Sequence, residues 1–188
     1  MNRSIPGLPV HHNTCFTVQQ LMEKLSNSGR KYDLEKIRKA GEYAESLHEG
    51  QFRVSGEPYI SHPVAVAEIV SDLGLDTNSI CAALLHDTVE DCSDKTNLGE
   101  IEKLFGPTVA MLVDGLTKIV VLAVEDKEEA HIENLRKMLL AMSKDIRVIF
   151  IKLCDRLHNM RQELYHLPPK PFIFGFQVFY TIEIEHIN

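Results

Sequence analysis

The chain has 188 residues, a formal net charge of −7, 44% hydrophobic and 25% charged residues, which is the composition of one globular domain long enough to bury a core. The acidic balance and the lack of a long basic run exclude generic nucleic-acid binding, which needs many cations on one face. No apolar run is long enough to cross a bilayer, and the N-terminal stretch lacks the basic-then-apolar layout of a secretion signal. Cys15, Cys81, Cys92 and Cys154 include no Cys-x-x-Cys pair, and scattered thiols of this kind fit a reducing cytosol, so a cytoplasmic location is expected.

Residues 1–16, with Pro6, Gly7, Pro9 and His11-His12, are expected to form a flexible N-terminal segment. Thr17 to Asn27 reads as a short helix with Val18, Leu21, Met22 and Leu25 on one face, stopped by Ser26-Asn27-Ser28-Gly29. Asp33 can cap the next helix, whose buried side carries Leu34, Ile37, Ala40, Ala44 and Leu47 before Gly50 closes it. Arg53 to His62 reads as a loop, because Ser55-Gly56-Glu57-Pro58 is turn chemistry. Pro63 suits a first helical position and is followed by Val64, Ala67, Ile69, Val70 and Leu73, with Gly74 as the stop. Asp76 or Thr77 caps the helix that runs into His86-Asp87, and Asp91 to Asn97 is polar and loop-like.

Leu98 to Phe105 forms a short amphipathic helix ended by Gly106, Pro107 restarts the chain, and Val109 to Leu116 continues as helix. Val120 to Val124 fits a helix or a short strand equally well. Lys127 to Met142 is helical, with Ile132, Leu135, Met138, Leu139 and Met142 at helical spacing. Asp145 caps the last long helix. Its apolar start, Ile146 to Ile151, has strand propensity, but the continuation through Leu153, Leu157 and Met160 keeps helical spacing. A helix apolar on nearly every side belongs in the middle of a domain. The expectation to this point is an all-α bundle. After Pro168-Pro169-Lys170-Pro171 the pattern switches to period two through Phe172, Phe174, Phe176, Val178, Tyr180, Ile182 and Ile184, a strand signature. With no partner sheet in view, 170–188 reads as a divergent tail, either truncated or foreign.

The chemistry concentrates in Ala82 to Asp91, an apolar helical run that ends in His86, Asp87, Glu90 and Asp91. On one helix, His86 and Glu90 stack a turn apart, as do Asp87 and Asp91, and Asp87 also reaches Glu90. Such crowding is costly without a cation or a strong hydrogen-bond network. Taken alone, a His-Asp pair arises by chance and a Glu-Asp pair often just caps a helix. Two further groups stand beside it: His62, just before Pro63, and Asp155, in the most apolar helix with Lys152 and Asn159 on its face. Two imidazoles and two carboxylates make a mixed nitrogen and oxygen donor set. That set suits a catalytic divalent ion such as Mn²⁺ or Fe²⁺ better than a closed structural zinc site. The plain alternatives are that Asp155 pairs only with Lys152 or Arg156, and that Lys152 and Arg161 are ordinary surface charges. His48, His131, His158 and His166 read as surface or core histidines.

The order His62, then His86-Asp87, then Asp155 resembles the HD-domain phosphohydrolases. More narrowly, the chain resembles the hydrolase half of the RelA/SpoT family of alarmone enzymes. The resemblance rests on Gly50 through Pro63, Ala82 through Asp91, Val113 through Lys118, Asn134 through Met138 and Lys152 through Arg161, and it spans about Thr17 to Pro169. It implies a compact helical HD domain over 17–169 and Mn²⁺-dependent removal of the 3′-pyrophosphate from guanosine tetra- and pentaphosphate (ppGpp and pppGpp). By motif, His62, His86, Asp87 and Asp155 would hold the metal, and Glu90 and Asp91 would be the acid/base pair. Arg53 and Ser55 would lie on the guanine side, Asn159 at the sugar and Lys152 near the phosphates. The family's long members continue into a synthetase domain, which has no counterpart here, so hydrolysis without synthesis is expected.

Three positions depart from the family pattern. Val54 stands where a second basic residue is usual, Gln162 replaces a common threonine, and Cys154 replaces a common alanine. The first two bear on base recognition and keep a second substrate open, another nucleotide or pyrophosphorylated metabolite. The unusual tail keeps open a reading from another class, a non-catalytic alarmone-binding remnant. No nucleic-acid or membrane partner is expected, and the oligomeric state is left open.

Overall fold

The structure is a computed structural model that describes residues 16–53, 55–121 and 145–166. Among the described residues every named element is a helix, and an isolated bridge joins Phe52 to Pro58 at the loop expected from Arg53 to His62. Helix α1, Val18–Asn27, starts with Thr17, whose hydroxyl accepts from Gln20 N while the Gln20 side chain accepts from Thr17 N. This reciprocal cap satisfies two donors that a helix start otherwise leaves open. Asp33 caps α2, Leu34–Leu47, by accepting from Lys36 N at 3.0 Å.

Helix α3, Ser61–Asp72, begins two residues before Pro63. Proline is tolerated there because the first turn of a helix has no partner for its N–H groups. His62 therefore belongs to the first turn of α3 and does not precede it. Asp76 caps α4, Thr77–Leu85, through Ser79 N and the Ser79 hydroxyl. The one-turn helix α5, Thr88–Asp91, follows after His86 and Asp87. Helix α6, Leu98–Phe105, is capped by Asn97 and stopped by Gly106 at φ 87°, a left-handed conformation that glycine adopts without strain. Helix α7, Pro107–Val121, carries Val120 and Val121 as helix, which resolves that part of the ambiguous stretch. Helix α8, Arg147–His166, is opened by Asp145, which accepts from Arg147 N at 3.0 Å.

The centre of the bundle is α4. Every residue from Ser79 to Leu85 is buried, and the helix packs against α2, α3, α7 and α8. Each fully buried leucine or isoleucine there contributes roughly 1.5–3 kcal/mol over an exposed one. Helices α7 and α8 approach closely at Gly115, where a Cβ would meet a Val148 methyl at 3.0 Å. Helix α8 differs from the fully enclosed helix expected from its composition. It buries Val148, Ile151, Cys154 and Asp155 against α3, α4 and α7, while Phe150, Leu153 and Leu157 stay 40 to 53% exposed. The expected N-terminal segment, the helix over Lys127 to Met142 and the strand pattern after Phe172 lie outside the described residues.

Candidate metal centre

The site forms where the first turn of α3, the end of α4 and the middle of α8 meet. Helix α4 stops because side chains take up the carbonyls of its last turns. Thr88 Oγ1 donates to Leu85 O at 2.7 Å, and His86 Nδ1 lies 2.8 Å from Ala83 O. A carbonyl only accepts, so His86 Nδ1 carries a proton and Nε2 is the ring nitrogen turned toward the cluster. The backbone at His86 stays helical, φ −61° and ψ −36°, and drifts at Asp87 to φ −95° and ψ −10°. The two residues therefore form a break between α4 and α5 and not the continuous helix expected from their spacing.

Ligand-type atoms of His62, His86 and Asp87 all lie within 4.8 Å of one another, and Asp155 joins them. His62 Nε2 is 3.1 Å from Asp155 Oδ1 and 3.8 Å from Asp87 Oδ2. His86 Nε2 is 3.0 Å from Asp87 Oδ1 and 3.8 Å from Asp155 Oδ1. His62, His86 and Asp155 are buried, and Asp87 is partly so. Although close to the Asp87 carboxylate, the buried His86 Nε2 makes no aligned hydrogen bond among the described residues. A buried ring nitrogen that faces carboxylate oxygens without an aligned bond to them leaves room for a cation between them, and the donor set fits a divalent metal.

The charges tell the same story. Burial disfavours a charged His86 ring, yet the neighbouring Asp87 and Asp155 carboxylates raise its pKa to about 9. For His62 burial wins, helped by the His86 charge, and its pKa falls. Burial works against ionised Asp87 and Asp155 too, but the histidines, together with Lys152 at Asp155, hold both well below the usual carboxylate range. Two ionised carboxylates with positive charge among them form a pocket in which a metal ion can take the place of the proton.

The other expected residues fall into two groups. Lys152 Nζ bonds Asp155 Oδ2 at 2.8 Å, Asn159 Nδ2 donates to Asp155 Oδ1 at 3.0 Å, and Arg53 Nη2 donates to Asn159 Oδ1 at 3.0 Å. Arg53, Asn159 and Lys152 thus chain onto the Asp155 side. Of the two ordinary partners open to Asp155, the structure uses Lys152; Arg156 Nε and Nη2 find no hydrogen-bond partner among the described residues. Glu90 has a buried Oε1 without a hydrogen bond among the described residues, and burial, then the Asp87 charge, push its pKa up to about 7. Asp91 is exposed and accepts from the Tyr59 hydroxyl at 2.6 Å. Ser55 is exposed in the loop and makes no hydrogen bond to another described residue.

Two neighbours of the cluster escaped the sequence reading. The Tyr59 hydroxyl reaches Asp87 Oδ2 at 3.0 Å as well as Asp91, and its ring stacks on His48 with centroids 4.6 Å apart. The spacing Tyr59 to His62 puts both in one turn at the start of α3, a signal visible only once that start is known. His158 Nδ1 lies 2.7 Å from His62 Nδ1. Its position between Asp155 and Asn159 on one helical face was a usable signal, since residues three and four apart share a face.

Comparison with known proteins places this geometry. A family model described as an HD domain matches residues 40–170. The bifunctional (p)ppGpp synthase/hydrolase SpoT of Escherichia coli K12 is 52% identical over 128 residues, which is 68% of this chain and 18% of that protein. The guanosine-3′,5′-bis(diphosphate) 3′-pyrophosphohydrolase of Vibrio cholerae is 49% identical over 145 residues, 75% of this chain and 20% of that protein. A solved structure of a metazoan ortholog of SpoT, which hydrolyzes ppGpp and plays a role in starvation responses, matches with a TM-score of 0.57 at 32% identity. That match covers 76% of this chain and 78% of the other. The chain therefore spans less than a quarter of the length of the curated relatives it matches. Among the described residues no helix is long and apolar enough to cross a membrane. The chain belongs to the HD-domain family, and its HD domain is homologous to the (p)ppGpp hydrolase domain of SpoT.

Proposed function

We propose that this chain is a cytoplasmic guanosine-3′,5′-bis(diphosphate) 3′-pyrophosphohydrolase. It converts ppGpp or pppGpp to GDP or GTP with release of pyrophosphate, through a 17–169 HD domain that takes Mn²⁺. The observation that carries this reading is the convergence of His62, His86, Asp87 and Asp155 around the unbonded His86 Nε2, in a chain about half identical to named hydrolases. In this reading those four residues hold the cation. When bound, a divalent ion supplies Lewis acidity toward water and phosphate oxygens.

The remaining steps belong to the protein. Glu90, with a pKa near neutrality in its half-buried position, takes a proton from the attacking water and can return one. Asp91, held by the Tyr59 hydroxyl, serves the leaving-group side, where the ribose 3′-oxygen is released and takes up a proton as the pyrophosphoryl group passes to water. Lys152 brings positive charge to the substrate phosphates and balances Asp155. Arg53 is aimed by its bond to Asn159, so its planar guanidinium can stack on guanine or pair with phosphate, while Asn159 serves the sugar. Ser55, on the same loop, lies on the guanine side. The test is pyrophosphate release from ppGpp with added Mn²⁺, comparing the native chain with Asp87→Ala. Release by the native chain alone is expected. Equal rates from the two proteins remove the metal mechanism, and turnover of other nucleotides in preference to ppGpp removes the substrate assignment.

A further inference from the structure

His158 stands on α8 between Asp155 and Asn159 and touches the cluster through His62. The two Nδ1 atoms are 2.7 Å apart, and the ring centroids 4.9 Å apart at 35°. Two imidazole nitrogens at that distance hold one proton between them, with one ring donating and the other accepting. The other nitrogen of His62, Nε2, faces Asp155 and Asp87. For Nε2 to offer a lone pair to a cation, the proton of neutral His62 must sit on Nδ1, and His158 Nδ1 must accept it. His86 solves the same problem with the Ala83 carbonyl. His62 solves it with a side chain from another helix, 96 residues away in sequence.

We infer that His158 is a positioning residue for the metal site: it fixes the tautomer and ring orientation of His62, and so ties α8 to α3 across the cluster. The inference rests on the reading of His62 as a ligand. Outer partners of ligating histidines typically change metal affinity about 10–100-fold when removed. The helical register lets α8 do three things from one face. Asp155 enters the cluster, His158 orients His62, and Asn159 donates to Asp155 and accepts from Arg53.

The experiment uses the full chain stripped of metal, titrated with Mn²⁺ by calorimetry, as native protein, His158→Phe and His158→Gln. Phenylalanine keeps a ring of similar size and loses the acceptor; the glutamine amide oxygen can still accept. His158→Phe is expected to bind Mn²⁺ about 10–100-fold more weakly, with the melting temperature of the metal-free chain unchanged, and His158→Gln to recover most of the loss. Ring ¹H–¹⁵N spectra of the native chain loaded with diamagnetic Zn²⁺ should show the proton of His62 on Nδ1 and that of His158 on Nε2. A phenylalanine variant that binds as tightly as the native chain overturns the inference, as does a glutamine variant as weak as phenylalanine. A proton found on His158 Nδ1 in the loaded chain also overturns it, and that spectrum decides the matter if His158→Phe fails to fold. A native chain that binds no Mn²⁺ is a separate failure, of the metal reading itself.

Discussion

Helix α4 and its continuation into α5 are adjacent in sequence and opposite in character. From Ser79 to Leu85 every residue is buried, and the side chains are apolar apart from a serine bonded to its cap. From His86 to Asp91 the chain breaks its helix, leaves buried His86 Nε2 and Glu90 Oε1 without hydrogen bonds among the described residues, and crowds carboxylates together. The first stretch stabilises the fold whatever is bound. The second is poorly satisfied by the protein alone, and such places are where a bound cation and substrate complete the interactions.

The sharpest way to break this contrast is to substitute on either side of Leu85. Asp87→Ala should abolish Mn²⁺ binding and lower ppGpp hydrolysis to the level without enzyme, as read by calorimetry and pyrophosphate release. Glu90→Gln, three residues on, should keep the metal and lose turnover by about 10²–10⁴-fold, the usual contribution of a positioned acid or base. The ionised carboxylate is the working form, so kcat/KM in the native chain should rise with pH up to about 7, the value to which burial and Asp87 push Glu90. Glutamine should flatten that limb. Retained turnover in Glu90→Gln would rule out its proton-relay role.

On the other side, Leu84→Ala should cost about 2–5 kcal/mol of stability through the cavity it leaves, measured by denaturant unfolding, with Mn²⁺ affinity per folded molecule unchanged. If Leu84→Ala weakened Mn²⁺ binding as much as Asp87→Ala, the two stretches would not be separable. Mn²⁺ itself should stabilise the native chain by about 2.7 kcal/mol at a hundredfold excess over Kd. A chelator should remove that gain, and Asp87→Ala should show none of it.

This contrast also marks what was legible in the sequence. Asp33, and Asp76 with Thr77 as its alternative, announced helix starts because a short oxygen-bearing side chain in front of an apolar face has few other local uses, while Thr17 was placed at the head of α1 without being read as its cap. His86 and Asp87 were legible because crowded ionisable groups at the end of an apolar helix need compensation, and Asp155 because it sits on the most apolar helix; His62, read at the end of a loop, joined them through the order of motifs shared with the HD-domain phosphohydrolases. The break at His86-Asp87 was not legible. Its backbone stays near helical angles, so the spacing of side chains runs on as if the helix continued. The start of α3 was misjudged because proline fits several positions of a first turn, not just the first. Tyr59 and His158 were missed because each acts across a gap between elements, Tyr59 on Asp87 and Asp91 and His158 on His62. The place of His158 between Asp155 and Asn159 marks its face of α8, but no local pattern records the contact with the other element. The outward face of α8 escaped for a similar reason, since composition reports how apolar a helix is and not how many neighbours it has.

A second acidic cluster, at the start of α8, sharpens the comparison at smaller amplitude. Here the protein supplies its own cation. Arg147 pairs with Asp145 at 2.6 Å and with Asp76, the cap of α4, at 2.7 Å. Hydrogen bonds from Arg147 hold Asp145 below its ordinary pKa of 3.8 against some burial. At Asp76 burial opposes ionisation, but bonds from Ser79 and the Arg147 charge outweigh it, and its pKa is lowered too. Carboxylates depressed in the folded state contribute stability that is full above the ordinary value and is lost as pH falls through the folded value. Asp76 is half exposed, so solvent screens its share and the whole cluster contributes about 1 kcal/mol or less. Arg147→Gln should therefore lower stability at neutral pH by about that amount, make the fall in melting temperature below about pH 4 shallower, and leave the Mn²⁺-dependent gain intact. An unchanged acid slope in Arg147→Gln would mean that Asp145 and Asp76 are held by their backbone and serine bonds alone. A lost Mn²⁺ gain would mean that this end of α8 sets the position of Asp155.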